Sequence, residues 1–119
     1  MKSAIGFLVA VLLGIGGASG HARPEKSEPK VGEEMAKPPA AVRIWFDEEV
    51  VAASSSIQVL GADGKEVDKK DTHVDAKDRK LLIVSLPDRL AAGTYEVKWQ
   101  AHSVDGHRTH DQFKFVVKG

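Results

Sequence analysis

The chain has 119 residues, of which 17 are basic and 17 acidic, so its net charge gives no reason to expect binding to nucleic acid or to an anionic membrane surface. It contains no cysteine, which excludes disulfides, thiolate metal ligands and cysteine-based catalysis. A chain of this size without cross-links needs one well-packed hydrophobic core.

The N-terminus has the layout of a secretory signal peptide. Lys2 provides the positive charge, an apolar run covers residues 4–15, and small residues follow at 16–20. The apolar run is shorter than the roughly 20 residues that a membrane-spanning helix needs. We therefore predict that residues 1–20 are removed on export and that residues 21–119 form one soluble mature domain.

The position of the cut decides which residue comes first in the mature chain. Small residues precede two candidate positions, one after Gly20 and one after Ala22. The first cut makes His21 the mature N-terminus, whereas the second cut removes this histidine. The small-residue rule alone does not choose between them.

Residues 22–40 are rich in charged residues, proline and glycine and show almost no apolar periodicity. This composition predicts an irregular, mostly exposed lead-in, which Val31 and Met35 could attach to the domain. Residues 41–46 then alternate between apolar side chains on one side and Arg43 and Trp45 on the other. The alternation predicts a half-buried strand.

Further short strands are expected along the rest of the chain. Residues 57–60 lead into a Gly-Ala-Asp-Gly turn, and residues 65–67 are expected to return beside them as a hairpin. The charged segment 68–80 predicts a solvated loop or an edge strand. Apolar or alternating segments predict three more strands, at residues 81–86, 95–99 and 113–117.

Several short strands without a convincing amphipathic helix predict an all-β fold, a small antiparallel β-sandwich. Tyr95 enters one of these strands, which resembles the tyrosine corner of immunoglobulin-like sandwiches. Trp45 and Trp99 are expected to pack within the sandwich.

The segment Asp105-Gly106-His107 is the first candidate for chemistry. If its backbone is extended, the carboxylate and the imidazole leave from the same face, because side-chain direction alternates along a strand. Together they supply one oxygen and one nitrogen donor, which is half of a metal site. The alternative is a polar pair that only satisfies the end of a strand.

The other histidines of the domain are weaker candidates. His102 lies one strand position off the face of Asp105 and His107, so we expect it to be exposed or bonded to the backbone. His110 could serve as an auxiliary ligand. His73 lies in a charged loop and is expected to be an ordinary surface residue.

A set of short motifs lies in a fixed order along essentially all of residues 21–119. The motifs are His21-Ala22, Ser27-x-Pro29 with Gly32 after it, Pro38-Pro39 before a strand, Phe46-x-Glu48-x-Val50, Leu90-x-x-Gly93-x-Tyr95-x-Val97-x-Trp99, Ser103-x-Asp105-Gly106-His107 and a final alternating Phe strand. In this order and spacing, the sequence resembles the CopC family of periplasmic copper-binding proteins. The resemblance implies a β-sandwich or barrel with a Greek-key layout and a periplasmic location. The chain departs from the pattern at Pro24, where the family often has Leu, and at His110-Asp111, where it usually has Gly.

The resemblance also implies a copper(II) site. The mature N-terminal His of the family binds copper(II) through its amine and its ring, and this role falls on His21, which favours the cut before it. The family's D-x-H motif matches His107 as the second imidazole ligand and Asp105 as a ligand or close partner. A family glutamate matches Glu48, which becomes a further candidate for the metal site.

These donors suit copper(II) chemically. An α-amine with a pKa near 8 and an imidazole with a pKa near 6.5 can both give up their protons to a competing metal at neutral pH. A tetragonal set of nitrogen and oxygen donors favours copper(II), which also heads the Irving–Williams order. Some family members carry a methionine-rich copper(I) site, but this chain has only Met1 and Met35, so we expect no thioether site.

The residues and the resemblance together predict a protein that is not an enzyme. It would bind copper ion and carry or buffer it, with an inner-membrane copper transport protein as a possible partner. One alternative is a copper-dependent oxidative enzyme, because an N-terminal His chelate also occurs in polysaccharide monooxygenases; a direct Asp105 ligand would fill the open coordination position that such chemistry needs. The other alternative is a metal-free, immunoglobulin-like interaction module, whose thermal stability would not change on adding copper(II).

Overall fold

The structure is a computed structural model that describes residues 22–118. Eight strands and one 3-10 turn, Ala52–Ser54, occupy this part of the chain. The strands are β1 Pro24–Glu28, β2 Glu34–Met35, β3 Ala41–Phe46, β4 Ser56–Leu60, β5 His73–Val74, β6 Leu81–Ser85, β7 Gly93–His102 and β8 Arg108–Val117. The predicted all-β fold is confirmed.

The strands form two four-stranded sheets, in the orders β1-β3-β6-β5 and β2-β8-β7-β4. Without β2, this is the strand order of the immunoglobulin constant-type sandwich with its Greek-key connections. All pairs are antiparallel except β2 with β8, which is parallel. The predicted antiparallel sandwich is confirmed, with this one short parallel pair at the edge of the second sheet.

The core lies between the two sheets and follows from strict alternation in the long strand β7. Its residues 95, 97, 99 and 101 are buried, and the residues between them face outward. The Trp99 ring meets Phe46 of β3 edge to face at 5.2 Å between centroids, an arrangement that aromatic pairs favour. Trp99 therefore packs as predicted, whereas Trp45 lies on the outer face with the Lys26 ammonium 4.3 Å from its ring centroid.

Tyr95 behaves as the sequence predicts for a tyrosine corner. Its ring stacks on Phe115 of β8, and its hydroxyl donates a hydrogen bond of 2.5 Å to the carbonyl oxygen of Ala91. Burial of the ring raises the pKa of Tyr95, because the phenolate would lose water. The contact fixes the entry of β7 into its sheet.

The lead-in before β3 is more regular than predicted. Residues 24–28 form β1, which pairs with β3 along its outer edge. Because β1 is an edge strand with mostly exposed side chains, its sequence shows no apolar alternation, and the pairing uses backbone groups that no sequence pattern reveals. Met35 packs against the core as predicted. Val31 is 73% exposed, so it does not attach the lead-in to the domain.

The predicted hairpin after β4 is present but short: an antiparallel bridge joins Leu60 and Glu66, and backbone hydrogen bonds of 2.8 and 2.9 Å flank it. Beyond it, the carboxylate of Asp68, almost fully buried, accepts the N–H of Val59 at 2.8 Å. The full-length partner of β4 is β7. The charged segment that follows contains β5, an edge strand as predicted.

Candidate metal centre

Asp105 and His107 lie in the loop of residues 103–107, which joins β7 to β8 at one end of the sandwich. The backbone here is a tight turn, with Gly106 at φ +98°, a conformation that favours glycine. The N–H of Gly106 donates to the carbonyl oxygen of Ser103 at 2.9 Å, and the N–H of Ser103 donates to that of His107 at 2.9 Å. The backbone is therefore not extended, and the turn, rather than the alternation of a strand, brings the two side chains together.

The two side chains are in direct contact. Nδ1 of His107 lies 3.2 Å from Oδ1 of Asp105, and the backbone N–H of His107 points at the same oxygen from 3.4 Å. The imidazole is 56% exposed and the carboxylate 34% exposed. When Nδ1 carries the hydrogen, it donates to Asp105, and Nε2 on the other side of the ring keeps the lone pair that a metal needs.

Ser103 is the residue of this loop that the sequence did not single out. It is fully buried, and its hydroxyl donates to Oδ1 of Asp105. The hydroxyl oxygen of Ser103 in turn accepts the N–H of His107 at 3.3 Å. A serine before a D-x-H motif was the available signal, but serine is too common near turns to indicate this role on its own.

The first residues that the structure describes are attached beside this loop. Ala22 is completely buried, and its carbonyl oxygen accepts a hydrogen bond of 2.7 Å from the hydroxyl of Thr109 in β8. The N–H of Arg23 donates to Oδ1 of Asp47 at 2.9 Å, and the N–H of Asp47 donates back to the carbonyl oxygen of Arg23 at 2.9 Å. The chain start is thus held between the end of β3 and the start of β8. His21 lies outside the described residues.

Glu48 lies in the acidic turn that follows β3 and is half-buried. Its neighbour Glu49 accepts the N–H of Val104 at 3.0 Å, so this turn is attached to the loop of residues 103–107. Within residues 22–118, no three histidines or carboxylates lie close enough together to hold a metal ion. The structure therefore joins Asp105 with His107 and does not add Glu48 to them as a third donor; its role stays a prediction.

The remaining histidines divide as follows. His102 is half-buried with Nδ1 2.6 Å from the hydroxyl of Ser54, so its side-chain partner is a serine and not the predicted backbone. His110 directly follows Thr109 in β8. Because side chains alternate along a strand, His110 lies on the face of the sheet opposite to the one on which Thr109 contacts Ala22. Nδ1 of His73 lies 2.8 Å from the carbonyl oxygen of Asp71, on the surface as predicted.

No helix within the described residues 22–118 reaches the length and apolarity that spanning a membrane requires.

The chain is similar to several known proteins over most of its length. It is 33% identical over 98 residues to Protein YobA of Escherichia coli K12, with 82% of this chain and 79% of YobA covered. It is 30% identical to Copper resistance protein C of Pseudomonas syringae pv. tomato, with 97% and 90% covered. The crystal structure of CopC from Methylosinus trichosporium OB3b superimposes with a TM-score of 0.76 at 31% identity, covering 82% of this chain and 94% of that one.

The family model of the CopC domain matches residues 24–118, which includes every strand described above. Together with the 30% identity over nearly the whole chain, this match establishes the family that the sequence motifs indicated. The protein belongs to the CopC domain family.

Proposed function

We propose that the protein is an exported copper(II)-binding protein of the bacterial periplasm, which carries or buffers copper in homeostasis or resistance. Residues 1–20 act as the signal peptide, and the mature chain begins at His21. Copper(II) is bound by the amine and ring of His21, the ring of His107 and the carboxylate of Asp105, with Glu48 as a further candidate.

The observation that carries this proposal is the attachment of Ala22. The carbonyl oxygen of Ala22 accepts the Thr109 hydroxyl at 2.7 Å, which holds Ala22 at the end of the sandwich where β8 begins. Thr109 follows His107 by two positions. A mature chain that begins at His21 carries an amine and an imidazole on the residue next to this attachment, and we propose that these two donors join Asp105 and His107 at the metal.

The donors match copper(II) better than copper(I). One amine, two imidazoles and one carboxylate oxygen are borderline or hard ligands, which suit a tetragonal copper(II) site. Copper(I) prefers thioether and thiolate sulfur, and the mature chain would contain Met35 as its one thioether and no thiol.

A carrier role fits this set of donors better than catalysis. With Asp105 bound directly, an equatorial position that an oxidative copper enzyme would leave open to its reactant is filled. The copper ion is then cargo, passed on to an acceptor such as an inner-membrane copper transport protein. We propose no reaction at the site.

The test compares three mature proteins by intact mass and by competition titration of copper(II) against a chelator. They are the chain that begins at His21, the same chain with one glycine added before His21, and the His107→Ala variant. The added glycine leaves every side chain in place but removes the amine and ring of one residue as a joint chelate.

We expect the first protein to retain one copper(II) ion and to unfold at a higher temperature with copper than without it, because the metal binds the folded state. The other two proteins should bind copper(II) at least about 100-fold more weakly, a larger loss than is typical when a residue that only orients a ligand is removed. Export that yields a chain beginning at Arg23, or equal affinity in all three proteins, would refute the proposal.

A further inference from the structure

The hydroxyl of Ser103 is buried and contacts Asp105, which in turn contacts His107. We propose that Ser103 is the positioning residue of the copper site: through its hydrogen bond to Asp105 it fixes the carboxylate, and through the carboxylate the imidazole of His107. This inference rests on the proposed function, since it concerns the affinity of the same site.

Ser103 itself has a fixed position. Its relative exposure is 0%, and it forms an antiparallel bridge with Val50 beside the end of β7. The next residue, Val104, donates its N–H to the carbonyl oxygen of Glu49 at 3.0 Å. The loop is therefore anchored at Ser103 and Val104, whereas its residues 105–107 are exposed.

Asp105 and His107 are much more exposed than Ser103. The serine hydroxyl donates to Oδ1 of Asp105, and Nδ1 of His107 lies 3.2 Å from the same oxygen. The three groups thus form a chain that runs from a buried anchor through a carboxylate to an imidazole. Without the hydroxyl, the carboxylate would lose a partner that is fully buried.

A site whose donors are held in place before the metal arrives avoids the entropy of ordering them on binding. Partners that hold a metal ligand by a hydrogen bond typically contribute about 10- to 100-fold to metal affinity. We expect a loss in this range when the Ser103 hydroxyl is removed, although Ser103 itself is not a metal ligand.

The chain offers a matched control in Ser55. This serine is also buried, and its hydroxyl oxygen accepts the backbone N–H of His102, the last residue of β7, at 3.0 Å. Its hydrogen bond therefore serves the same end of the same strand, but it reaches neither Asp105 nor His107 among the contacts described. Ser55→Ala removes a comparable buried hydroxyl without affecting the proposed chain of contacts.

The experiment measures copper(II) affinity by competition titration and the stability of the copper-free protein by thermal unfolding. The proteins are wild type, Ser103→Ala, Ser55→Ala, Asp105→Ala and the double variant Ser103→Ala/Asp105→Ala, all beginning at His21. Electron paramagnetic resonance of the copper(II) form reports changes in the donor set that stability alone would not cause.

We expect Ser103→Ala to bind copper(II) about 10- to 100-fold more weakly than wild type and Ser55→Ala to bind it equally well. The Ser103→Ala effect should disappear in the Asp105→Ala background, because the hydroxyl acts through that carboxylate. The copper(II) spectrum should broaden or shift in Ser103→Ala and stay unchanged in Ser55→Ala.

Wild-type affinity in Ser103→Ala, or an equal loss in Ser103→Ala with and without Asp105, would overturn the inference while leaving the proposed function intact. Failure of the proposed function is distinguishable, because wild type itself would then not retain copper. If Ser103→Ala does not fold, Ser103→Thr and Ser103→Val decide the matter, since they have the same shape and only Thr keeps the hydroxyl. Equal copper affinities in these two variants would also overturn it.

Discussion

Two loops of this sandwich contain aspartate and yet use its carboxylate differently. In the segment from Gly61 to Thr72, the carboxylates of Asp63, Asp68 and Asp71 accept backbone N–H groups at 2.8–3.1 Å. In the loop of residues 103–107, the carboxylate of Asp105 contacts a serine hydroxyl and an imidazole, and the backbone N–H of His107 reaches it from a longer distance of 3.4 Å.

The carboxylates of the two loops differ in which kind of donor holds them. Backbone donors hold a carboxylate in a fold-determined place and use its lone pairs, which stabilises the turn. A hydroxyl and an imidazole also orient the carboxylate, but these side-chain contacts can be exchanged for a contact to a ligand. The spacing of Asp residues in the sequence does not reveal which of the two cases applies.

The sharpest way to test this contrast is to remove one carboxylate from each loop. Asp68→Ala leaves the buried N–H of Val59 without its acceptor, and we expect the free energy of unfolding to fall by about 2–3 kcal/mol with no change in copper(II) affinity. Asp105→Ala should do the reverse. It should weaken copper(II) binding while lowering stability by less than about 1 kcal/mol, because the Ser103 hydroxyl keeps the carbonyl oxygen of His107 as an acceptor.

Denaturant unfolding and copper titration on both variants measure the contrast directly. A large loss of stability in Asp105→Ala together with unchanged copper affinity would show that both carboxylates are structural.

The sequence predicted most of the sandwich because its buried strands carry their own signal. Alternation in β3 and β7 indicated which residues face the core, and Tyr95 indicated the tyrosine corner at the start of β7. The strands that escaped prediction, β1 and β2, are exposed edge strands held by backbone pairing, so their side chains carry no such periodicity.

The site was predictable only in part for a similar reason. Asp105 and His107 form a recognisable motif, but the turn that brings them together depends on Gly106 and on Ser103, whose burial arises from the packing of the loop against the acidic turn after β3. The attachment of Ala22 to Thr109 joins residues 87 positions apart, and no local pattern in the sequence reports such a contact.

A smaller effect is expected from Asp71, the third carboxylate that accepts a backbone N–H in the segment from Gly61 to Thr72. Hydrogen bonds from Ser85 lower the pKa of Asp71 below its ordinary value of 3.8, because they stabilise the ionised form. The folded protein therefore binds this proton less tightly than the unfolded chain. The resulting stabilisation is complete above pH 3.8 and disappears as the pH falls through the lower pKa of the folded state.

Asp71→Asn should accordingly be less stable than wild type at pH 7, and the difference between the two proteins should shrink as the pH is lowered below about 4. Thermal unfolding across that range measures it. Copper(II) affinity at pH 7 should be the same in both proteins, since Asp71 lies with the structural carboxylates. A difference in stability that stays constant with pH would contradict the role assigned to the ionised group.

The smallest effect is expected from Glu48, and its size tests whether this residue is a ligand of the proposed metal site. The acidic turn that contains it is attached to the binding loop through Glu49 and Val104, but Glu48 does not join Asp105 and His107 in a group of three donors within residues 22–118. A carboxylate in this position adds negative charge near a bound cation without occupying one of its close positions.

We therefore expect Glu48→Gln, which keeps the shape and removes the charge, to weaken copper(II) binding by less than about 10-fold, at the lower limit of what an orienting partner contributes. Glu49→Gln is the matched control, since the loop contact of Glu49 uses its backbone oxygen. A loss in Glu48→Gln as large as that in Asp105→Ala would make Glu48 a ligand, and it would require the acidic turn to close over the metal when it binds.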